Sequence, residues 1–231
     1  MSGKKRERSY IKDIIPFIIN IIYPSQCNVC RNKLKYDENI ICRECIAELD
    51  YKLLREQNFQ IDDNSIHISV FSYENIVKDI LHLFKFNQYQ PLGKILTERA
   101  LFFTDKTVFD KYDFLLPVPL TSKKRKERGF NQTEIIAKII SKETNIPILS
   151  IIKKEKETMP QSILSKTERE KNLRGVFSII KKTDRKTYDN KSILIVDDVL
   201  TTGSTFKEIK KTIEPIGFSS IDIYTIATPR I

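Results

Sequence analysis

Apolar and polar positions alternate along the chain with two periods, and these periods distinguish helices from strands. Apolar residues at helical spacing predict helices over residues 74–86, 91–103, 132–143 and 205–214. Short apolar runs bounded by polar turns predict strands over residues 66–71, 114–118, 146–152, 176–180, 192–196 and 218–226. Strands that alternate with helices are typical of a doubly wound parallel sheet, so an α/β fold is expected.

The strand predicted over residues 192–196 leads into the most informative segment of the chain. Its run Ile193-Leu194-Ile195-Val196 contains no polar residue, as expected of a central parallel strand covered on both faces. An acidic pair and a hydroxyl loop follow, and an amphipathic helix begins there: Asp197, Asp198, Thr201, Thr202, Gly203, Ser204, Thr205. Unpaired N–H groups and the dipole at a helix N-terminus favour phosphate, so the segment predicts a phosphate site.

Other phosphate or carboxylate motifs fit this segment less well. The chain has neither G-x-x-x-x-G-K-[ST] nor G-x-G-x-x-G, which removes the P-loop and the dinucleotide fingerprint. Receiver domains also carry an Asp-Asp pair after a strand, but there it follows the first strand and lacks the hydroxyl loop. A purely structural turn would not need so many hydroxyl groups.

All four cysteines lie near the N-terminus, as two Cys-x2-Cys pairs: Cys27, Cys30, Cys42 and Cys45. Two such pairs can close a tetrahedral thiolate site, which predicts a structural zinc ion with no open ligand position. Disulfides and an iron–sulfur cluster are the alternatives, and a cytoplasmic chain disfavours the disulfides. The lone histidines, His67 and His82, are interpreted as packing or surface residues.

The pattern divides the chain into a zinc-binding module over residues 1–60 and an α/β domain over residues 61–231. Residues 4–23 superficially resemble a signal peptide, but Lys12, Asp13 and Asn20 interrupt the apolar run. The spacing favours an amphipathic helix that packs or docks, with no membrane span. A cytoplasmic location is therefore expected.

A net charge of +10 and a pI near 9.3 favour phosphate-bearing partners, although part of the excess is consistent with solvated surfaces rich in lysine. One basic segment, residues 123–126, follows a strand end and consists of Lys123, Lys124, Arg125 and Lys126. Together with scattered aromatic residues, it is a candidate site for single-stranded DNA.

The acidic pair and hydroxyl loop closely resemble the motif of type I phosphoribosyltransferases that binds phosphoribosyl pyrophosphate (PRPP). The resemblance implies that Asp197 and Asp198 hold the ribose 2′ and 3′ hydroxyls, while residues 201–205 cradle the 5′-phosphate. It also implies magnesium, which accompanies the pyrophosphate of PRPP.

Further motifs are similar to the ComF family of competence proteins, whose phosphoribosyltransferase domain is amidophosphoribosyltransferase-like. They are Pro117-Val118-Pro119-Leu120, Arg128-Gly129-Phe130-Asn131-Gln132, Pro160-Gln161, Arg169, Asn172-Leu173, Gly175 and Phe177. Family analogy makes residues 118–128 a pyrophosphate-binding loop and residues 153–177 a mobile flap. Leu120 and Gln161 then join the PRPP-binding residues, and Arg128 joins Asp197 and Asp198 as candidate catalytic residues.

Three functions remain open on the sequence. The family role would be the handling of single-stranded DNA in natural transformation, with a sugar-phosphate site kept for binding or regulation. A working PRPP-dependent transferase is the alternative, although no segment after the last predicted strand identifies an acceptor. The third is an interaction module whose N-terminal helix and zinc segment dock a partner such as the competence helicase.

Overall fold

The computed structural model describes residues 25–86, 89–157, 175–180 and 187–229. The chain divides into two compact units, Met1–Tyr51 and Lys52–Ile231, whereas the sequence places the division further along, after residue 60. The helix predicted over residues 4–23 lies outside the described residues. Within the part that is described, no helix is long and apolar enough to cross a membrane.

The described part of the first unit consists of turns followed by one helix, α1 (Arg43–Tyr51). An antiparallel bridge joins Gln26 and Lys33 across the first turn. The buried hydrophobic residues here are few: Cys27, Leu34, Ile41, Cys42, Cys45 and Leu49. Three of these six are cysteines, so the described part of this unit has little apolar core besides its thiols.

The second unit contains seven strands and five further α-helices within the described residues. The strands are β1 (Asn58–Asp62), β2 (Ser65–Ser72), β3 (Phe114–Pro117), β4 (Ile152–Lys154), β5 (Phe177–Ile179), β6 (Ser192–Val199) and β7 (Ser220–Thr228). The helices are α2 (Asn75–Phe86), α3 (Gln90–Phe103), α4 (Ser122–Arg128), α5 (Gln132–Thr144) and α6 (Ser204–Ile213). Short 3₁₀ turns occupy Lys106–Phe109 and Glu214–Ile216.

Five strands form the central sheet in the order β1-β2-β7-β6-β3, and only β1 is antiparallel to its neighbour. Strand β6 lies between β7 and β3, and its residues from Ile193 to Val196 are completely buried. Strands β4 and β5 form a separate antiparallel pair. The prediction of a mixed α/β fold with a mostly parallel central sheet is confirmed.

Helices cover both faces of the sheet. Helix α6 packs its buried Phe206, Ile209 and Ile213 into an apolar cluster with Ile193 and Ile195 of β6. Helices α3 and α5 pack against the sheet strands, and α2 packs on α3. Because successive side chains of a strand point to opposite faces, adjacent residues at the end of β6 reach different helical layers.

A close helix contact fixes the C-terminal end of α2. A Cβ atom placed on Gly93 of α3 would lie 2.4 Å from the ring of Phe84, so only glycine admits this ring. Phe84 is buried and stacks on Phe130, with ring centroids 5.4 Å apart. The residue after Phe84 is Lys85, and its position is therefore set by packing on two sides.

Four features of the fold differ from the sequence prediction. The strand predicted over residues 146–152 is wrong, since Pro147 lacks an N–H group and only a bridge at Ile148 joins the edge of β3. Strand β1 and helices α1 and α4 are additional elements. Strand β1 has only two apolar residues, Phe59 and Ile61, which explains why its pattern was too short to recognise.

Candidate functional site

The acidic pair, Asp197 and Asp198, lies within the last residues of β6 and divides between the two faces of the sheet. Asp197 lines a pocket together with the hydroxyl loop and the start of α6. Asp198 is 4% exposed and meets Lys85 of α2, on the other side. This division follows from strand alternation. The structure therefore brings both predicted carboxylates to the site but gives them different surroundings.

Lys85 forms an ion pair with Asp198 through its ammonium group and the carboxylate Oδ2. This Oδ2 is buried and accepts no hydrogen bond of ordinary geometry from the described residues, so the ammonium is its main compensation. Burial opposes ionisation of Asp198, but the charge of Lys85 and the hydrogen bonds with Asp197 and Lys85 together outweigh it and hold the pKa of Asp198 below its ordinary value. Sequence reasoning did not assign Lys85 to the site.

Asp197 is partly exposed, and its Oδ1 accepts a hydrogen bond of 2.8 Å from the backbone N–H of Asp198. Burial, and then the neighbouring Asp198 charge, raise the pKa of Asp197 well above its ordinary value. The two carboxyl groups are thus unequal. Asp198 is the ionised partner of a lysine, whereas Asp197 faces the pocket and is the group that protonates more readily.

The hydroxyl loop, residues 201–205, turns from β6 into α6 as the sequence predicts. Gly203 has φ of 71° and precedes the first helical residue, and no side chain caps the helix. The first-turn N–H groups of α6 have no acceptor within the helix. The Thr202 and Ser204 hydroxyls lie 2.8 Å apart. Donors from backbone and side chains therefore converge beside Asp197.

The pocket encloses about 240 Å³ of empty space, counting the open solvent at its mouth. The lining residues are Asp197, Val199, Leu200, Thr201, Thr202, Gly203, Ser204, Thr205, Phe206 and Ile223. All five residues of the hydroxyl loop are among them.

Two side chains at the start of α5 form hydrogen bonds to the turn after β3. Asn131 donates a hydrogen bond of 3.0 Å to the Val118 carbonyl, and Thr133 donates another of 2.7 Å. The Asn131 side chain also caps α5 by accepting from the Thr133 N–H. Leu120 lies half-buried in this turn but is not among the pocket-lining residues.

The segment expected to be a pyrophosphate-binding loop contains a helix. Residues 122–128 form α4, which Thr121 caps at its start and Gly129, with φ of 74°, ends. Arg128 at its C-terminus donates to Gln132 Oε1 at 2.6 Å, and its guanidinium lies 5.3 Å from the centre of the Phe86 ring. Burial lowers the pKa of Arg128, while the nearby Asp198 charge opposes that shift.

Ion pairs offset much of the charge of the basic segment. Arg125 donates to both Glu134 oxygens at 2.5 and 2.9 Å. Lys123 lies 4.0 Å from Glu127, and Lys124 lies 3.9 Å from Glu157. Lys126 is exposed and has no ion-pair partner within the described residues. Exposed pairs of this kind are weak, so a stronger anion can displace them.

A second basic group absent from the predicted site is Lys154 of β4. Burial lowers the pKa of its ammonium, as does repulsion from Lys124, whereas the charges of Asp197 and Glu157 oppose this shift. Glu157 also accepts a hydrogen bond from the buried Thr121 hydroxyl. The acidic pair therefore has positive charge near it from α2, α4 and β4.

Several predicted site residues lie outside the described part of the chain. Gln161 and Arg169, together with residues 158–174 of the predicted flap, belong to this group. The proposed roles of these residues stay predictions.

The four cysteines of the first unit converge on one point. Their Sγ atoms all lie within 4.8 Å of one another, with Cys27 and Cys45 at 3.8 Å and Cys30 and Cys42 at 3.6 Å. A tetrahedron with Zn–S bonds of about 2.3 Å has edges of about 3.8 Å. A disulfide would need about 2 Å, and all four cysteines are free. The ligand set therefore fits a closed four-thiolate metal site.

The backbone around the cysteines favours one thiolate more than the others. Burial opposes ionisation of Cys27, but N–H groups of residues 29, 30 and 42 outweigh it and lower its pKa to about 7. Burial raises the pKa of Cys42 to about 11 and also raises that of Cys45. Four thiolates therefore need a cation to coexist here.

Comparison with protein-family models matches residues 126–231 to the phosphoribosyl transferase domain. The purine phosphoribosyltransferase of Pyrococcus horikoshii is a similar solved structure, with 18% identity and a TM-score of 0.36. The match covers 58% of this chain and 82% of that chain. Residues 126–231, which match the family model, contain the acidic pair, the hydroxyl loop and α6, so this part of the chain matches a phosphoribosyl transferase domain.

Two curated relatives narrow the class. Competence protein F of Haemophilus influenzae is 27% identical over 209 residues, covering 87% of this chain and 89% of that protein. Competence protein ComFC of Bacillus subtilis is 27% identical over 195 residues, covering 78% of this chain and 73% of that protein. The chain is similar to the ComF family of competence proteins, and the matched domain together with these relatives confirms the resemblance drawn from its motifs.

Proposed function

We propose that this protein binds PRPP or a related sugar phosphate at the pocket between the acidic pair and α6. One observation carries the proposal: Asp197, the hydroxyl loop and the uncapped first turn of α6 surround a single pocket. The 5′-phosphate would accept from the first-turn N–H groups and the loop hydroxyls. The acidic pair would hold the ribose hydroxyls, with Asp197 on the pocket side.

Magnesium would enter with the ligand. It would neutralise the pyrophosphate oxygens of PRPP, while the protein supplies Arg128 and the turn over residues 118–121 as surroundings for that group. We expect ribose 5-phosphate, which has no pyrophosphate, to bind without magnesium. Loss of Arg128 or Gln161 should weaken PRPP binding more than ribose 5-phosphate binding.

Calorimetric titration with PRPP and Mg²⁺ tests the proposed ligand site. Thr202→Val removes a hydroxyl from the cradle, and Asp198→Asn changes the charge balance of the acidic pair, so both variants should weaken binding about tenfold or more. The matched control is Thr212→Val. It also removes a hydroxyl, but Thr212 lies in α6 outside the pocket lining. Unchanged affinity in both site variants would show that the assigned site is wrong.

The biological role that we propose is the handling of incoming single-stranded DNA in the cytoplasm during natural transformation. Two relatives named as competence proteins support this role, as do the exposed lysines of the basic segment. The alternative is a transferase that uses PRPP with an acceptor still to be identified. Pyrophosphate release on mixing with PRPP would support transfer, whereas salt-dependent oligonucleotide binding would support DNA handling.

We also propose that the four-cysteine site holds one structural zinc ion. The Sγ separations match the edges of a zinc–thiolate tetrahedron, and no ligand position is left for catalysis. Elemental analysis should find one zinc per chain. Iron in its place, with the visible absorption of a cluster, would select the iron–sulfur alternative. Docking of the competence helicase by residues 4–23 stays a prediction.

A further inference from the structure

Lys85 is the strongest charged group near the pocket to which neither the sequence motifs nor the family resemblance gives a role. Its ammonium pairs with Asp198, which does not line the pocket. Its backbone position is fixed because Phe84 is confined between Gly93 and Phe130. The side chain is 21% exposed, so most of it lies within the protein.

A direct link connects this ion pair to the pocket. The N–H of Asp198 donates to Asp197 Oδ1 at 2.8 Å, and the two carboxyl groups also share a hydrogen bond, so the position and charge of the Asp198 side chain affect the Asp197 carboxylate. Asp197 in turn lies in the pocket wall. A group that holds Asp198 therefore also holds the carboxylate that faces the ligand.

We propose that Lys85 is a positioning residue for the sugar: by pairing with Asp198 it keeps Asp197 oriented to accept the ribose hydroxyls. The inference rests on the proposed sugar-phosphate site and assigns its preference for the ribose hydroxyls to a residue outside the pocket. Lys85 then acts through Asp198, and Asp197 makes the contact with the sugar.

The physical basis is charge compensation in a poorly solvated place. Without the ammonium, Asp198 would be a buried carboxylate beside a second carboxylate, and the like charges would repel. Relief requires Asp198 to turn toward water or to take up a proton. Either change alters the hydrogen bond and the charge interaction between the carboxyl groups of Asp198 and Asp197, whereas the phosphate cradle in residues 201–205 keeps its own backbone and hydroxyl donors.

Three probes separate the sugar from the phosphate in a calorimetric test: ribose 5-phosphate, 2-deoxyribose 5-phosphate and inorganic phosphate. The wild-type protein should prefer ribose 5-phosphate to the deoxy compound about tenfold, as expected of a hydrogen bond to a charged group. Lys85→Met should reduce this preference to near one and leave the affinity for inorganic phosphate unchanged. Lys78→Met, at an exposed lysine of the same helix, is the matched control.

The pair Lys85→Met and Asp198→Asn forms a double-mutant cycle. If Lys85 acts through Asp198, the double variant should show the same preference as Asp198→Asn alone, because both changes break one linkage. If Asp198→Asn alone kept a preference that the double variant lost, Lys85 would act on the sugar independently of Asp198, and the proposal would be overturned. Neither Asp198→Asn nor the double variant contains an unpaired Asp198 charge. The comparison between them is therefore possible even if Lys85→Met alone fails to fold.

Lys85→Arg supplies a rescue, since it retains the positive charge and should recover part of the lost preference. The failure of the inference is distinct from that of the proposed function. A wild-type protein that does not bind ribose 5-phosphate would contradict the sugar-phosphate site itself. Normal ribose preference in Lys85→Met would contradict only the role assigned to Lys85.

Discussion

His67 is a buried histidine of the central sheet. His67 of β2 is 2% exposed, packs beside Phe59, and has its Nε2 atom 2.8 Å from the Thr225 hydroxyl. Burial lowers the pKa of His67 to about 4. The prediction that His67 is a packing residue agrees with these surroundings, and they give the histidine a measurable effect on stability.

The depressed pKa of His67 should reduce stability in acid. Below about pH 6.5 the unfolded chain binds a proton at His67, while the folded protein stays neutral there until about pH 4. Between pH 7 and pH 4.5, the free energy of unfolding of the wild type should therefore fall by about 2 to 3 kcal/mol more than that of His67→Gln. Urea unfolding at both pH values measures the difference.

The exposed His82 supplies the control for that experiment. His82→Gln should keep the pH dependence of the wild type, since its ring lies at the surface on Phe86. If His67→Gln lost as much stability in acid as the wild type, the buried neutral state of His67 would be wrong.

Gly93 makes a second prediction at the residue scale. Alanine in place of an exposed helical glycine stabilises by about 1 kcal/mol, but here the added Cβ would lie 2.4 Å from the Phe84 ring. Gly93→Ala should therefore destabilise the protein by about 1 to 3 kcal/mol through overpacking. Denaturant unfolding measures whether Gly93→Ala stabilises or destabilises the protein. Adding Phe84→Leu to this variant should recover part of the lost stability. A stabilising Gly93→Ala would contradict the helix contact.

At the scale of elements, the sequence was most informative where local pattern and burial agree. The apolar run of β6 and the periodic helices α2, α3, α5 and α6 were predicted close to their observed bounds. Helix α4 was not, since its seven residues carry no apolar face and Thr121 and Gly129 define only its ends. Lys85 was missed for a different reason: its pairing with Asp198 depends on tertiary contacts between distant segments.

Helix α4 contains the basic segment that is predicted to bind single-stranded DNA. If Lys123, Lys124 and Lys126 neutralise about three phosphates of a single strand, they contribute a slope of about −2 to log affinity against log salt. Replacing these three lysines with glutamine should flatten the slope by about that amount. Fluorescence anisotropy with a labelled oligonucleotide at several salt concentrations measures it.

A variant with equal charge loss elsewhere makes this test specific. Lys94, Lys138 and Lys142 are exposed lysines of α3 and α5, and their replacement with glutamine should alter the slope much less. An unchanged slope in the α4 variant would remove this helix from the DNA site. PRPP should compete with DNA if both use α4, and each ligand must then weaken the other by an equal factor.

The whole molecule consists of two units that differ in what stabilises them. The second unit has a buried five-stranded sheet, whereas the described part of the first depends on four thiols and a few apolar residues. The sequence predicted both parts, because cysteine spacing and strand–helix alternation are local patterns. It did not predict that β6 continues to Val199 and so divides the acidic pair between two faces, because the apolar run ends at Val196.

Metal removal should therefore affect the two units unequally. Cys42→Ser, or a strong chelator, should release the zinc and unfold residues 25–51 while the sheet keeps its structure. Hydrogen exchange measured by mass spectrometry resolves the two units. Ser25→Ala, outside the ligand set, is a control that should retain one zinc per chain. Equal loss of protection in β6 and in α1 would contradict independent stabilisation.

NMR titration of the backbone amides with ribose 5-phosphate is the clearest test of whether a sugar phosphate binds at the start of α6. The amide resonances of Gly203, Ser204 and Phe206 should shift together and saturate with one dissociation constant, since their N–H groups would meet the phosphate. Thr202→Val should raise that constant about tenfold. Resonances that stay in place while the ligand binds elsewhere, or no binding at all, would contradict the account.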